Sequence, residues 1–292
     1  MEPKPPIKIE EWFFENHQDR YGQGYKVKRM LESLQTPYQK IEIYETYSAG
    51  NLLVLDGCIM LTSAHEFTYH EMLAHPPLLI HPNPKSVLII GGGDGGLMRE
   101  VLKHKSVSRA VMCEIDKEVT ELSKKHFPEL TQWIGKDKRA EILFEDGVKF
   151  IKAHKNSFDV ILIDSTDPVG AAEGLFTSDF YAAAKSALKQ QGIIASQAES
   201  YWYMKQTVAK ILTQIKAVFE NVNYYSAQVP CYPGTVWGFT IASSYKYDFT
   251  RADDFDRAAA IAKKCQYYTP QIHKASFFHP KFAEELIASA LK

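Results

Sequence analysis

Residues 86 to 96 read Ser86-Val87-Leu88-Ile89-Ile90-Gly91-Gly92-Gly93-Asp94-Gly95-Gly96. A short apolar run closed by glycines and followed by Leu97-Met98-Arg99-Glu100-Val101-Leu102 at helical spacing predicts a buried strand, a turn and a helix. Such a unit opens a nucleotide-binding βαβ fold, with the ligand at the turn. Gly91, Gly93 and Gly96 satisfy G-x-G-x-x-G, which puts a dinucleotide first among candidate ligands. Asp94 argues against it, because its carboxylate stands in the loop whose amides would otherwise hold a pyrophosphate. Like charges about 4 Å apart repel by roughly 4 kcal/mol at an effective dielectric near 20, so a cationic ligand is favoured.

Downstream of this stretch, strand and helix patterns alternate. Strands are expected at 86–90, 109–114, 140–144, 158–163 and 192–196, and helices near 95–104, 116–126, 147–153, 178–188 and 203–218, the pattern of a doubly wound parallel sheet. Two β runs, 222–228 and 237–243, flank Pro230-Cys231-Tyr232-Pro233-Gly234 and predict an antiparallel hairpin at the sheet edge. The tail beyond Asp253 reads as helical, with breaks at Thr269-Pro270 and His279-Pro280.

Upstream, 38–62 alternates apolar and polar residues between the turn signals Ala49-Gly50-Asn51 and Asp56-Gly57, predicting an antiparallel meander. A short helix is expected near Val27 to Leu34, and a second from His65 toward Pro76-Pro77, leading into the larger domain. The expected organisation is a small N-terminal antiparallel β domain over residues 1–80 and a catalytic domain over 81–292.

The 292 residues carry 45% hydrophobic content, enough for a sizeable core, and 34 Lys+Arg balance 35 Asp+Glu. That balance points to neither a nucleic-acid nor a membrane partner. Cys58, Cys113, Cys231 and Cys265 are far apart in sequence, with no C-x-x-C pair, so neither a disulfide framework nor a zinc site is suggested. They read as buried thiols of a reducing compartment. With no apolar run near 20 residues and no basic-then-apolar leader at Met1 to Pro6, a cytoplasmic location is expected.

In an open parallel sheet the ligand crosses the carboxyl ends of the strands, and each of the first four predicted strands runs into acid: Asp94, then Glu114 and Asp116, then Asp146, then Asp164 and Asp167. Carboxylates gathered at one edge repel unless a ligand offsets the cost. Glu114, about 20 residues past the glycine turn, suits the two hydroxyls of a ribose. Asp116 reads as a helix N-terminal acid. Asp146-Gly147 suits an adenine amino group or a helix cap. Asp164-Ser165-Thr166-Asp167-Pro168 could be a simple Asx-turn, but beside the other acids it reads as a site for a cationic substrate. A metal is disfavoured, since magnesium usually arrives with the phosphates that Asp94 opposes.

The runs Gly91 to Gly96, Cys113-Glu114-Ile115-Asp116, Glu145-Asp146-Gly147 and Asp164-Ser165-Thr166-Asp167-Pro168-Val169-Gly170 resemble the polyamine aminopropyltransferases of the spermidine/spermine synthase family. The likeness extends to Leu55-Asp56-Gly57, Glu66-Phe67-Thr68-Tyr69-His70-Glu71-Met72 and Pro230-Cys231-Tyr232-Pro233. It implies a methyltransferase-like Rossmann fold and transfer of an aminopropyl group from decarboxylated S-adenosylmethionine to putrescine, giving spermidine and 5′-methylthioadenosine. The donor is a co-substrate, so no cofactor and no metal are expected, and a homodimer or homotetramer is implied. By position, Gln39 and Glu114 are implied at the ribose, Asp146 and Gly147 at the adenine, and Asp94 at the ammonium of the aminopropyl arm. Asp164 is implied as general base, with Tyr69, His70, Ser165, Thr166, Asp167 and Tyr232 on the putrescine side. Ala171, on the nucleoside side of the same loop, stands where the family commonly has Pro. Cys58, Met60 and His65 also depart from the usual pattern, near the implied amine entrance.

The chemistry agrees with the resemblance. An amine with a pKa near 10 is protonated at neutral pH and must lose a proton before it can attack carbon, a task for a carboxylate such as Asp164. Asp94 would attract the decarboxylated donor and repel the carboxylate of ordinary S-adenosylmethionine. The alternatives are an aminopropyltransferase for cadaverine, agmatine or spermidine, a putrescine N-methyltransferase, a nucleoside or polyamine sensor without turnover, and, last, a nicotinamide oxidoreductase.

Overall fold

The computed structural model describes residues 11–17, 21–166 and 174–292. The chain divides into two compact units, one up to Glu66 and one from Phe67 onward, a division that falls earlier than residue 80.

The N-terminal unit is a five-stranded antiparallel meander of β1 (Trp12–His17), β2 (Tyr21–Gln35), β3 (Lys40–Thr46), β4 (Asn51–Leu55) and β5 (Cys58–Thr62), paired in sequence order. The helix expected at Val27 to Leu34 is instead part of the long strand β2. Val27, Met30, Leu31 and Leu34 have helical spacing, but the β2–β3 register slips between Val27 and Arg29 and again between Met30 and Glu32. Each bulge inserts one residue and resets the side-chain phase, which turns a period of 2 into an apparent period of 3 to 4. The expected meander over β3 to β5 is present.

Helix α1 (Glu66–Ile80) is buried along nearly its whole length and runs through Pro76 and Pro77 rather than stopping there. A proline at 76 has no N–H for the carbonyl of Met72, four residues back. The Tyr225 hydroxyl donates to that carbonyl instead, at 2.9 Å. A tertiary contact thereby removes one of the two penalties that make proline a helix terminator.

The second unit contains a seven-stranded sheet in the order β11-β12-β10-β9-β6-β7-β8. Its strands are β6 (Ser86–Gly91), β7 (Arg109–Glu114), β8 (Ala140–Phe144), β9 (Phe158–Asp164), β10 (Leu188–Gln197), β11 (Asn221–Gln228) and β12 (Val236–Ser243). The five from β6 to β10 run parallel, and the β11–β12 hairpin joins β10 antiparallel at the edge. Between the parallel strands lie α2 (Gly96–Leu102), α3 (Lys117–His126), the short α4 (Pro128–Thr131), α5 (Gly147–Ala153) and α6 (Ser178–Ala187). Then come α7 (Lys205–Lys216) and the tail helices α8 (Phe255–Ala262), α9 (Pro270–Ala275) and α10 (Lys281–Ala290). Val87 to Ile90 and Val160 to Ile163 are buried without alternation, as strands covered on both faces must be. Leu88, Ile90, Ile161 and Ile163 join Phe150, Phe180 and Tyr181 of α5 and α6 in one apolar cluster.

After β6 the chain adds β7 and β8 on one side, then crosses to place β9 on the other. The order therefore reverses between β6 and β9, the position where open α/β sheets hold ligands beyond their strand ends.

Candidate active site

Gly91, the last residue of β6, pairs with Asp164, the last residue of β9. Gly91 has φ +80°, and a Cβ there would lie 2.0 Å from the Asp164 carbonyl oxygen. Only glycine allows this approach, which lets the Gly92 amide donate to that same carbonyl at 2.9 Å. The glycine loop is thus fastened to the strand that carries the candidate base. Gly96, which opens α2, makes room of a different kind, because a Cβ would sit 2.3 Å from the His70 ring.

Into that space α1 delivers two adjacent side chains. The Tyr69 hydroxyl donates to Asp164 Oδ1 at 2.8 Å. His70 Nε2 lies 3.2 Å from Asp94 Oδ1, which also accepts the Gly96 amide at 2.8 Å. His70, Asp94 and Asp164 each present one atom within 4.8 Å of the others. The Asp164 Oδ2 atom is sealed from water and has no hydrogen-bond partner among the described residues.

Two carboxylates this close are driven apart in acidity. Burial and the charge of Asp94 push the Asp164 carboxyl up to about 6. Burial also acts to raise Asp94, but His70, the Gly96 amide and Arg99 outweigh it and hold Asp94 below the ordinary carboxylate range. A pair so divided keeps one permanent anion beside one group that titrates near neutrality. Burial next to Asp164 keeps the Tyr69 hydroxyl protonated, far above its usual range.

Aromatic rings wall the site. Tyr69 meets Tyr232 edge-on with centroids 5.7 Å apart, and Phe239 at 5.4 Å. Tyr232, in the turn of the β11–β12 hairpin, packs on Trp237 at 4.6 Å. Trp237 and Phe239 escaped the sequence reading, although their separation by two residues on β12 is the signal for a shared face. Gln197, at the end of β10, was also missed; its Nε2 donates to the Thr166 carbonyl at 3.4 Å and so touches the backbone of the acidic loop.

Glu114, ending β7, is buried, and its two oxygens accept the amides of Gly93 at 3.1 Å and Asp116 at 2.8 Å. It ties the glycine loop to the next strand, and burial pushes its carboxyl up to about 7. Asp116 caps α3 through the Glu118 amide, as the plainer reading of that residue had it. Asp146 caps α5 by accepting from Val148 at 2.8 Å and Lys149 at 3.3 Å, with Gly147 as the first helical residue. Ser165 and Thr166 follow β9, the Ser165 hydroxyl donating to the Thr166 carbonyl at 3.1 Å. Gln39 belongs to the N-terminal unit, in the turn between β2 and β3, where its amide donates to Thr36 Oγ1. Asp167 and Ala171 lie outside the described residues. The structure thus gathers Tyr69, His70, Asp94, Asp164 and Tyr232 into one cluster of contacting side chains, with Glu114 bonded to the glycine loop beside it.

Comparison with known proteins shows the family. Residues 66–251 match the spermine/spermidine synthase domain, and residues 11–63 match the spermidine synthase tetramerisation domain. The chain belongs to the spermine/spermidine synthase family. A polyamine aminopropyltransferase of Thermoanaerobacter sp. (strain X514) is 46% identical over 278 residues, 95% of this chain and 99% of that protein. The polyamine aminopropyltransferase of Clostridium tetani is 46% identical over 263 residues, covering 90% and 92%. A crystal structure of a spermidine synthase in complex with the transition-state analogue AdoDATO superposes with a TM-score of 0.92 at 38% identity, over 99% of both chains. The spermidine synthase of Thermotoga maritima gives 0.91, also at 38%, over 99% and 98%. The protein is accordingly a transferase of the polyamine aminopropyltransferase type. Its two units correspond to the two matched domains, and no described helix is long and apolar enough to cross a membrane.

Proposed function

We propose that this aminopropyltransferase is a spermidine synthase, moving the aminopropyl group of decarboxylated S-adenosylmethionine to putrescine. The observation that carries the mechanism is Asp164: pushed up to about 6, held on one oxygen by Tyr69, and with the other buried oxygen lacking a partner among the described residues. An ammonium group supplies the donor that this oxygen lacks.

In this reading Asp164 binds one ammonium of putrescine and accepts its proton as attack begins. The freed nitrogen forms a bond to the carbon next to the sulfonium while the C–S bond breaks, its electron pair passing to sulfur to leave neutral methylthioadenosine. A base with a pKa of about 6 is mismatched to a free amine, so Asp94 and Asp164 first draw both cations together, where desolvation and the neighbouring positive charge let an ammonium shed its proton more readily. Asp94, held ionised, receives the ammonium of the aminopropyl arm beside His70. The rings of Tyr69 and Tyr232 offer their faces to the diamine, with Ser165, Thr166 and Asp167 along its far end. Glu114 would take the ribose, and Asp146 and Gly147 the adenine. Both groups are consumed as substrates, so no resident cofactor or metal enters the reaction. The match of residues 11–63 to a tetramerisation domain supports a homo-oligomer, dimer or tetramer, and a cytoplasmic site of action goes with the same reading.

The test is mass spectrometry of products from decarboxylated S-adenosylmethionine offered with putrescine, cadaverine, agmatine and spermidine together, beside a parallel sample with ordinary S-adenosylmethionine. Spermidine and methylthioadenosine should dominate. A different aminopropylated amine as main product would refute putrescine as the acceptor, and a methylated amine would refute the assignment of the donor.

A further inference from the structure

Behind the catalytic face of α1 lies a second polar cluster that the transfer reaction does not use. His75, on α1, is fully buried. Its Nε2 lies 3.1 Å from Glu100 Oε2 on α2 and 3.1 Å from Cys265 Sγ, just beyond α8. Sγ also lies 3.3 Å from the Ile261 carbonyl, to which the thiol proton can go, so the imidazole nitrogen, the carboxylate oxygen and the sulfur converge with lone pairs available on each. A cation placed between them would receive a lone pair from each of the three. We propose that His75, Glu100 and Cys265 form a binding site for a thiophilic divalent cation of the zinc class.

The geometry is close to what such an ion requires. With bonds of about 2.0 Å to nitrogen and oxygen and about 2.3 Å to sulfur, tetrahedral donors sit roughly 3.3 to 3.6 Å apart. The donors here lie within 4.8 Å of one another, and each of the two contacts to His75 must open by only a few tenths of an ångström. One sulfur, one imidazole and one carboxylate suit zinc or cobalt rather than magnesium or calcium. The other His75 nitrogen, Nδ1, pairs with His104 Nε2 at 3.0 Å, the kind of outer contact that fixes the ring and tautomer of a ligating histidine.

The thiol is also held in register. Glu71, one helical turn before His75, accepts the amides of Gln266, Tyr267 and Tyr268 at 2.8, 2.8 and 2.7 Å. The chain immediately after Cys265 is therefore clamped to the helix that supplies the histidine. Arg99 donates to Glu100 Oε1 at 2.8 Å and can stay there as an outer partner. Lys103 Nζ lies 2.5 Å from Oε2, the oxygen that faces His75, and competes directly with an incoming ion. Binding sends the Cys265 proton to solvent and displaces Lys103 from Oε2. The site would tie α2 and the C-terminal segment to the helix that carries Tyr69 and His70, a structural role outside the chemistry.

Cobalt(II) titration of the full-length, chelator-stripped protein reads out the sulfur directly. We expect one equivalent per chain, a near-ultraviolet thiolate-to-cobalt charge-transfer band displaced by zinc, and a rise in Tm with either ion. Cys265→Ser should abolish the band and weaken zinc binding at least tenfold while aminopropyl transfer, the check on folding, persists. Lys103→Met should tighten binding roughly tenfold by removing the competing cation. Asp164→Asn should leave the band unchanged, separating this cluster from the active site. No band in the wild type at stoichiometric cobalt, a band that survives Cys265→Ser, or a Lys103→Met variant that binds no tighter would each overturn the proposal.

Discussion

Replacing Asp164 by Asn should make the substrate-free protein more stable and nearly inactive, and the stability gain should depend on pH in a defined way. The carboxyl rises from 3.8 to about 6 on folding, chiefly through burial and then through the charge of Asp94. Two units at about 1.36 kcal/mol each amount to roughly 3 kcal/mol of strain in the ionised form. The residue keeps one partly open edge although Oδ2 is sealed, so water relieves part of this and a range of about 1.5 to 3 kcal/mol is expected. Because the folded value lies above the unfolded one, the stability associated with the protonated form is complete below pH 4 and is lost as pH rises through about 6. Asn, which never ionises, should therefore match the wild type at pH 4 and exceed it at pH 8. In a domain of this size that is roughly 3 to 10 °C in Tm, measured on both proteins across the pH series without substrates. Loss of the base should lower kcat by about 10² to 10⁴ in the same preparations. A Tm difference that does not change between pH 4 and pH 8, or a variant that turns over normally, would refute the reasoning.

Three further outcomes follow from the same geometry. Asp94→Asn should weaken binding of decarboxylated S-adenosylmethionine more than that of methylthioadenosine, which has no ammonium, and equal losses in paired calorimetric titrations would contradict its role. Tyr69→Phe removes the hydroxyl that favours ionised Asp164, so the acidic limb of the kcat/KM profile should move upward by roughly one pH unit; an unmoved limb would mean Asp164 is not the group being titrated. Tyr225→Phe leaves the Met72 carbonyl, already deprived of the Pro76 N–H, without its donor, and should cost about 1 to 3 kcal/mol in chemical denaturation. No loss there would show that α1 tolerates its prolines by other means.

Much of the catalytic unit was legible because parallel strands buried on both faces leave an unmistakable trace. Val87 to Ile90 and Val160 to Ile163 are apolar without interruption, and the residues that follow each strand must lie along one sheet edge. The acids at those ends could be read as neighbours for that reason alone. The N-terminal unit was less transparent, since two bulges in the β2–β3 pairing imitate a helix, and bulges depend on the partner strand rather than on the strand that carries them.

What the sequence by itself determined was the order of elements, the glycine turn, the acidic edge and, through its motifs, the family. Those properties rest on local patterns, in which each residue's role is set by neighbours a few positions away. The tertiary structure alone decided that α1 passes through two prolines, that burial and Asp94 push the Asp164 carboxyl up to about 6 while Asp94 is held low, and that Phe239 packs on Tyr69 and Trp237 on Tyr232. It also decided that Cys265 reaches His75 across 190 residues of chain. Acidity and coordination depend on burial and on distances between groups remote in sequence, and no local pattern encodes a distance that only packing creates.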